Sequence, residues 1–303
     1  MTTILLLGET GQVGYELQHT LAPLGTLITP GRARADFENA DALRSAILEA
    51  RPDIIVNAAG FTIVDAAQAE PERATQINGV APGIIAESAK RIGALLVHYS
   101  TTFVFDGTKR TPYTETDTPH PINAYGIAKL AGEQAIQACC GNHIIIRANW
   151  VYSSRRTNFV LKILELAQAN TDINVVDDQI GAPTWARAYA LATAEMLKNP
   201  RRLRDYSGIY NLSAAGQCTR YEWAELIVEC TRQLAGGDVW PRLSKTTTAG
   251  FPLPALRPLY TATDNHKMRD VLGIEMEPWD VMLREFMRDH FCERRAGNVP
   301  AED

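Results

Sequence analysis

The chain has little cysteine. Five occur in 303 residues, at 139, 140, 218, 230 and 292, an odd number with no Cys-x-x-Cys spacing. Neither a disulfide framework nor a thiolate metal site is expected; reduced thiols in a cytoplasmic protein are. No apolar run approaches the ~18 residues of a membrane span, so no membrane contact is expected. The N-terminus enters an apolar stretch at Thr3 without a basic region or cleavage site, which argues against a secretory leader. Excess positive charge is also missing. Lys and Arg number 30 against 35 Asp and Glu, a net charge of −5, and no basic stripe calls for nucleic acid. Internal repeats and low-complexity segments are absent. What remains is the composition of an ordinary globular enzyme, long enough for about two domains.

The first informative stretch is Thr3-Ile-Leu-Leu-Leu7 followed by Gly8-Glu-Thr-Gly11-Gln12-Val13-Gly14. A short apolar run ended by glycine reads as a buried parallel strand. Val13, Leu17 and Leu21 then recur at helical spacing through Gln12–Ala22. Glycines at such a junction permit a tight turn, and the helix N-terminus offers N–H donors to a pyrophosphate. A second strand near Leu27–Thr29 precedes Pro30-Gly31-Arg32-Ala33-Arg34, where an NAD enzyme usually carries an acid. Arginine suits a 2′-phosphate instead, and a solvated surface role is equally open for either arginine.

Strand and helix continue to alternate. Helices are expected at Asp41–Ala50, Pro71–Arg91 and Ala124–Cys139, and strands at Asp53–Asn57, Ala94–Tyr99 and His143–Arg147. This rhythm predicts an α/β fold with a Rossmann-type, doubly wound parallel sheet and a smaller α+β substrate-binding lobe. The Rossmann domain is expected from 1–148 with 183–207 and about 220–236. The lobe is expected from 149–182, 208–219 and 237–291, and a disordered polar tail from 292–303.

Two further patterns carry chemistry. Ser100-Thr101-Thr102 follows the fourth strand, at the carboxyl edge where open sheets bind ligands. Tyr125-Gly-Ile-Ala-Lys129 places a phenol and an ammonium on one helix face. A free Tyr titrates near ~10, and a neighbouring cation is expected to lower that value towards neutrality. Such a group can protonate a carbonyl oxygen as hydride arrives at its carbon.

The order Gly-x-x-Gly-x-x-Gly, Ser-Thr, Tyr-x-x-x-Lys resembles the extended short-chain dehydrogenase/reductases. Longer matches resemble the dTDP-4-dehydrorhamnose reductase family: Gly8–Gly14, Asn57-Ala-Ala59, His98-Tyr-Ser-Thr101, Val104-Phe-Asp-Gly107, Lys129-Leu-Ala-Gly-Glu133, Trp150-Val-Tyr152, Asp178–Thr184 and Arg257-Pro258 with Asp264. The resemblance runs from Thr3 to about Phe291. It implies reduction of a dTDP-linked 4-keto sugar with NADPH or NADH, and it leaves a homodimer open. It implies a catalytic set of Thr101, Tyr125 and Lys129. Cofactor contacts would come from Gly8, Gly11, Gln12, Val13, Gly14, Arg32, Asp36, Phe37, Gly60, Phe61, Thr62 and Tyr99 as well as Tyr125 and Lys129. Thr101, Thr102 and Trp150 would meet the sugar. Thr102 stands where the family carries an Asp, Phe103 where it carries Tyr, Ala128 where it carries Thr, and a bulky Trp185 follows Pro-Thr. Some members hold Mg²⁺ through glutamates at a dimer contact. Glu16 fits one such position, but Arg187 occupies the other, so no metal is expected.

Overall fold

The computed structural model describes residues 2–169, 172–236 and 240–295. Its first half runs β1 (Thr3–Leu7), α1 (Gln12–Leu21), β2 (Thr26–Ile28), α2 (Ala40–Ala50), β3 (Ile54–Asn57), α3 (Val64–Ala69), α4 (Pro71–Thr75), α5 (Ala81–Ile92), β4 (Leu95–Thr101), α6 (Ala124–Cys139) and β5 (His143–Ala148). The second half runs β6 (Val151–Tyr152), α7 (Phe159–Gln168), β7 (Ile173–Val176), β8 (Ile180–Gly181), β9 (Thr184–Trp185), α8 (Ala186–Leu197), α9 (Pro200–Leu203), β10 (Gly208–Leu212), β11 (Cys218–Thr219), α10 (Arg220–Ala235), β12 (Leu243–Thr246) and α11 (Trp279–Arg295).

A six-stranded sheet in the order β10-β5-β4-β3-β1-β2, parallel at every pairing, forms the centre. Because strand side chains alternate, each strand feeds both faces. Ile4 and Leu6 join Leu95, Val97, Ile144 and Ile146 in the core under α1 and α8. Leu5 and Leu7 join Ile55, Leu96 and Ile145 under α2 and α5, and α5 packs on α6. The strand order reverses between β1 and β3, and their carboxyl ends open the crevice where such sheets take a ligand.

Three features depart from expectation. β10, assigned to the lobe from sequence, is the edge strand of the main sheet, pairing Gly208–Leu212 with Ile144–Ala148. α10, assigned to the Rossmann domain from sequence, packs on α7, α11, β7 and β12. Local patterning specifies an element's type but not its distant partner. Of the expected disordered tail at 292–303, residues 292–295 belong to α11, and residues 296–303 lie outside the described residues. The expected helix at 71–91 is realised with a π turn at Gln76–Val80 in its middle. Such turns often mark functional positions.

Candidate active site

The glycine turn has the shape its spacing implies. Gly8 adopts φ +86°, and a Cβ there would lie 2.5 Å from the Ala59 nitrogen, so the exit of β1 passes hard against the exit of β3. A Cβ on Gly14 would lie 1.9 Å from the Gly8 carbonyl oxygen. Gly11 N–H donates to that oxygen at 3.0 Å. Gly11 caps α1 without a side-chain bond, which leaves first-turn N–H groups for an anion. Val13 packs on the core. Gln12 Oε1 accepts from Ser153 Oγ at 3.0 Å and Asn158 Nδ2 at 3.2 Å. Arg156, with φ +60°, donates to the Thr10 carbonyl and hydroxyl, both at 3.1 Å. The segment after β6 therefore straps the phosphate turn, a contact between distant segments that no local motif announces.

After β2, Arg32 and Arg34 are both exposed. Arg32 pairs with Glu38 at 2.6 Å, and Glu38 also pairs with Arg73 at 2.9 Å. Asp36 accepts from the Glu38 N–H at 3.0 Å, and Phe37 is buried in the core beneath. After β3, Asn78 from the π turn clamps Phe61: its amide donates to the Phe61 carbonyl and its oxygen accepts from the Phe61 N–H, both at 2.9 Å. Gly60 lies in that loop, where a Cβ would sit 3.9 Å from Lys129 Nζ, and Thr62 beside it is exposed. The loop of Gly60, Phe61 and Thr62 is thus delivered to the lysine. Asn78 was missed from sequence, where Thr75 and Gln76 just before it make it one of several polar residues.

α6 brings the reactive groups together. Asn123 caps it by accepting from Gly126 N–H at 2.8 Å. A Cβ on Gly126 would lie 2.2 Å from the Phe103 carbonyl oxygen, so the helix start presses on the turn that follows β4. This contact places the buried Tyr125 phenol where the Thr101 hydroxyl acts on its titration. Lys129, one turn on and buried, donates from Nζ to the Tyr99 carbonyl at 2.5 Å. Glu133, a further turn on, accepts from Ser100 Oγ at 2.5 Å and from Arg147 at 3.0 and 2.7 Å. A charged residue ending the apolar strand His143–Arg147 was the legible sign of this pair.

The titration of the pair differs from expectation. Burial raises the Tyr125 pKa, with only the Thr101 hydrogen bond opposing it. Burial also lowers Lys129 to about 8, against the pull of the Glu133 charge. Desolvation disfavours the charged form of each group and outweighs their proximity. The acidified phenol expected from the Tyr-x-x-x-Lys spacing is therefore replaced by a protonated phenol beside a lysine that titrates near neutrality.

Tyr99 and Thr102 are placed otherwise than expected, and Trp150 is held in a strained pose. The Tyr99 hydroxyl bonds Thr193 at 2.6 Å across the core, so this residue meets the site through its backbone. Thr102 is fully buried and its hydroxyl has no partner, so it presents no surface to a sugar. Thr102→Val is accordingly expected to leave melting temperature and sugar KM close to wild type, because removing an unsatisfied buried hydroxyl is close to neutral. Thr102→Asp should destabilise by burying an unpaired carboxylate. Trp150 lies beyond the carboxyl end of β5 with φ +30°, a strained value for a bulky residue. It is held there by the Thr184 N–H on its carbonyl at 3.1 Å and by Gly181, where a Cβ would fall 2.5 Å from its ring. One of its ring faces carries the Arg220 guanidinium, 3.7 Å from the centroid, and Trp223 stacks on it at 5.7 Å.

Glu16 and Arg187, the two positions tied to a metal by resemblance, bond each other at 3.2 Å, and Arg187 also holds Asp289 at 2.6 Å. All five cysteines are free, and no helix among the described residues is long and apolar enough to cross a membrane.

Residues 1–291 match the family described as RmlD substrate binding domain. A dTDP-4-dehydrorhamnose reductase of Burkholderia thailandensis is 40% identical over 292 residues, covering 94% of this chain and 98% of that protein. Another of Escherichia coli K12 is 39% identical, covering 95% and 98%. The crystal structure of a Bacillus anthracis dTDP-4-dehydrorhamnose reductase in complex with NADP superposes with a TM-score of 0.86 at 29% identity, covering 95% and 99%.

Proposed function

The chain belongs to the dTDP-4-dehydrorhamnose reductase family, and we propose that it reduces the 4-keto group of dTDP-4-dehydro-L-rhamnose to give dTDP-L-rhamnose. The observation that carries this reading is Tyr125 and Lys129 buried together one helical turn apart, with Lys129 tied to the Tyr99 carbonyl at the end of β4 that carries Thr101, in a fold whose first glycine turn keeps open N–H donors. The residues fit a dinucleotide: Gly8 and Gly14 leave no room for a Cβ in the turn between β1 and α1, where a pyrophosphate would approach. When bound, the dihydronicotinamide supplies the hydride.

The protein's own groups handle the oxygen. Tyr125, held protonated by burial, donates its proton to the sugar oxygen as charge develops there. Thr101 orients the phenol and offers a second hydroxyl to the same oxygen. Lys129, titrating at about 8, holds a proton near the reacting pair at neutral pH. The reduction rate should therefore fall as pH rises through about 8, as the ammonium is lost.

The deciding assay is dihydronicotinamide oxidation with dTDP-4-dehydro-L-rhamnose, with the product's C4 configuration read by NMR. Absence of turnover would overturn the reading. Thr102, which stands where the family carries an Asp, lends no support to a different 4-keto sugar, since that side chain is closed off.

Arg32 and Arg34, exposed beyond β2, support a preference for NADPH through charge-assisted bonds to a 2′-phosphate. Arg32→Ala with Arg34→Ala is expected to lower the NADPH/NADH ratio of kcat/KM. An unchanged ratio would remove these residues from cofactor choice.

A further inference from the structure

Arg220 opens α10 in the lobe, where its backbone N–H donates to the Gln179 carbonyl at 3.1 Å. Its guanidinium is walled by three aromatic rings, 3.7 Å from the centroid of Trp150, 5.0 Å from Phe159 and 5.3 Å from Trp223. Among the described residues, no carboxylate pairs with it and no group accepts a hydrogen bond from it. This is unusual. A guanidinium withdrawn from water ordinarily carries an anionic partner, because its charge is otherwise uncompensated. The residue is half-buried, and the enclosure of its guanidinium pushes its pKa down to about 9, with Arg257 adding to the effect, so it remains charged at neutral pH. Arg257 differs in being matched, with Asp65 at 2.7 Å and the Ala255 carbonyl at 2.7 Å. Two guanidinium groups therefore influence one region, and only one of them has its acid.

The position is specific. Thr101 pairs in register with Ala148 at the carboxyl end of the sheet, and Trp150 follows two residues later. The ring beneath Arg220 thus stands just past the edge where the Thr101–Tyr125 pair works, and Arg220 reaches it from the lobe side. A hexose that presents C4 to Tyr125 directs its anomeric oxygen, and the diphosphate on it, across the ring and away from the phenol. We propose that Arg220 binds the diphosphate of the nucleotide-sugar substrate, with Trp150, Phe159 and Trp223 holding its planar fork in place for two phosphate oxygens. This rests on the reading that a nucleoside-diphosphate sugar is the substrate.

The test uses the full chain and thymidine diphosphate as probe, with titration calorimetry for affinity and thermal melting as the folding control. Arg220→Gln is expected to weaken thymidine diphosphate binding about tenfold or more, and to raise the sugar-nucleotide KM in parallel. Arg220→Lys, which keeps charge but loses the fork, should fall between Gln and wild type. The wild-type affinity should also fall more steeply with salt than that of Arg220→Gln. If Arg220→Gln melts early, Arg220→Met retains the stem between the rings and is read instead. Either variant binding thymidine diphosphate within twofold of wild type would overturn the proposal, as would a wild type that does not bind it. The two readings separate cleanly. Diphosphate binding that depends on Arg220 without turnover of the 4-keto sugar overturns the reductase reading alone. Turnover with unchanged affinity in Arg220→Gln overturns this proposal alone.

Discussion

Tyr125→Phe is expected to cut kcat about 10²–10⁴-fold while the protein folds and binds NADPH as before. The ring loses only its hydroxyl. The neighbouring Thr101 hydroxyl keeps its own bond, accepting from the Phe103 N–H at 3.2 Å, so it is not stranded. The ring's edge contact with Phe103, 5.9 Å between centroids, is kept. Packing is therefore preserved and the proton donor is gone. The loss should fall on kcat and kcat/KM alike, the pattern of an interaction made in the transition state. Rapid-mixing and steady-state kinetics with the 4-keto sugar check this, beside a fluorescence titration with NADPH. A kcat within a few-fold of wild type would remove Tyr125 from the chemistry.

The proton inventory at this site explains why sequence alone misjudged its electrostatics. Tyr-x-x-x-Lys places two groups on one helix face, and that much is periodicity. Whether the lysine acidifies the phenol depends on how far each is withdrawn from water, which the packing of α6 against β4 and the turn after it decides. Gly126 lets the helix approach to van der Waals contact with Phe103, and the price is desolvation of both groups. The same approach closes Thr102 away from the site. The glycine turn was legible because each glycine answers a local steric demand. Gly60, Phe61 and Thr62 were legible by resemblance, but the Asn78 clamp that fixes them crosses from another element. β10 and α10 were recognisable as a strand and a helix, yet their allegiance to sheet or lobe is a long-range fact. Arg220 was invisible for a related reason: an arginine at a helix start looks solvated until Trp150 and Phe159 from other segments close around it beside Trp223 of its own helix.

Glu133→Gln is expected to destabilise the fold by about 3–5 kcal/mol, the usual cost of breaking one side of a buried ion pair. Glu133 and Arg147 are each 1% exposed, and their two hydrogen bonds and opposite charges are what allow both to lie under the sheet's carboxyl edge. Glutamine keeps the shape but leaves the Arg147 charge buried and uncompensated. Arg147 has little in reserve, since its Nη1 already lacks a partner and its remaining contact is the Phe105 ring at 5.0 Å. The second consequence reaches the chemistry. Glu133's charge is what opposes the burial of Lys129, so removing it should drive the lysine pKa below about 8. The alkaline limb of kcat should then move to lower pH. Stability follows the same linkage. The folded Lys129 pKa lies below its unfolded value of 10.5, so the unfolded chain binds more protons between the two. Lys129's contribution therefore becomes more favourable as pH rises through that window and is least favourable below it. In Glu133→Gln the window should open at a lower pH. A double variant, Glu133→Gln with Arg147→Met, separates the two effects. It removes the stranded charge and should recover much of the stability. It cannot restore the carboxylate near Lys129, so the displaced pH limb should persist. Thermal melts and kcat profiles across pH on the two variants decide the matter. A limb that returns to its wild-type position in the double variant would show that Glu133 serves only the fold.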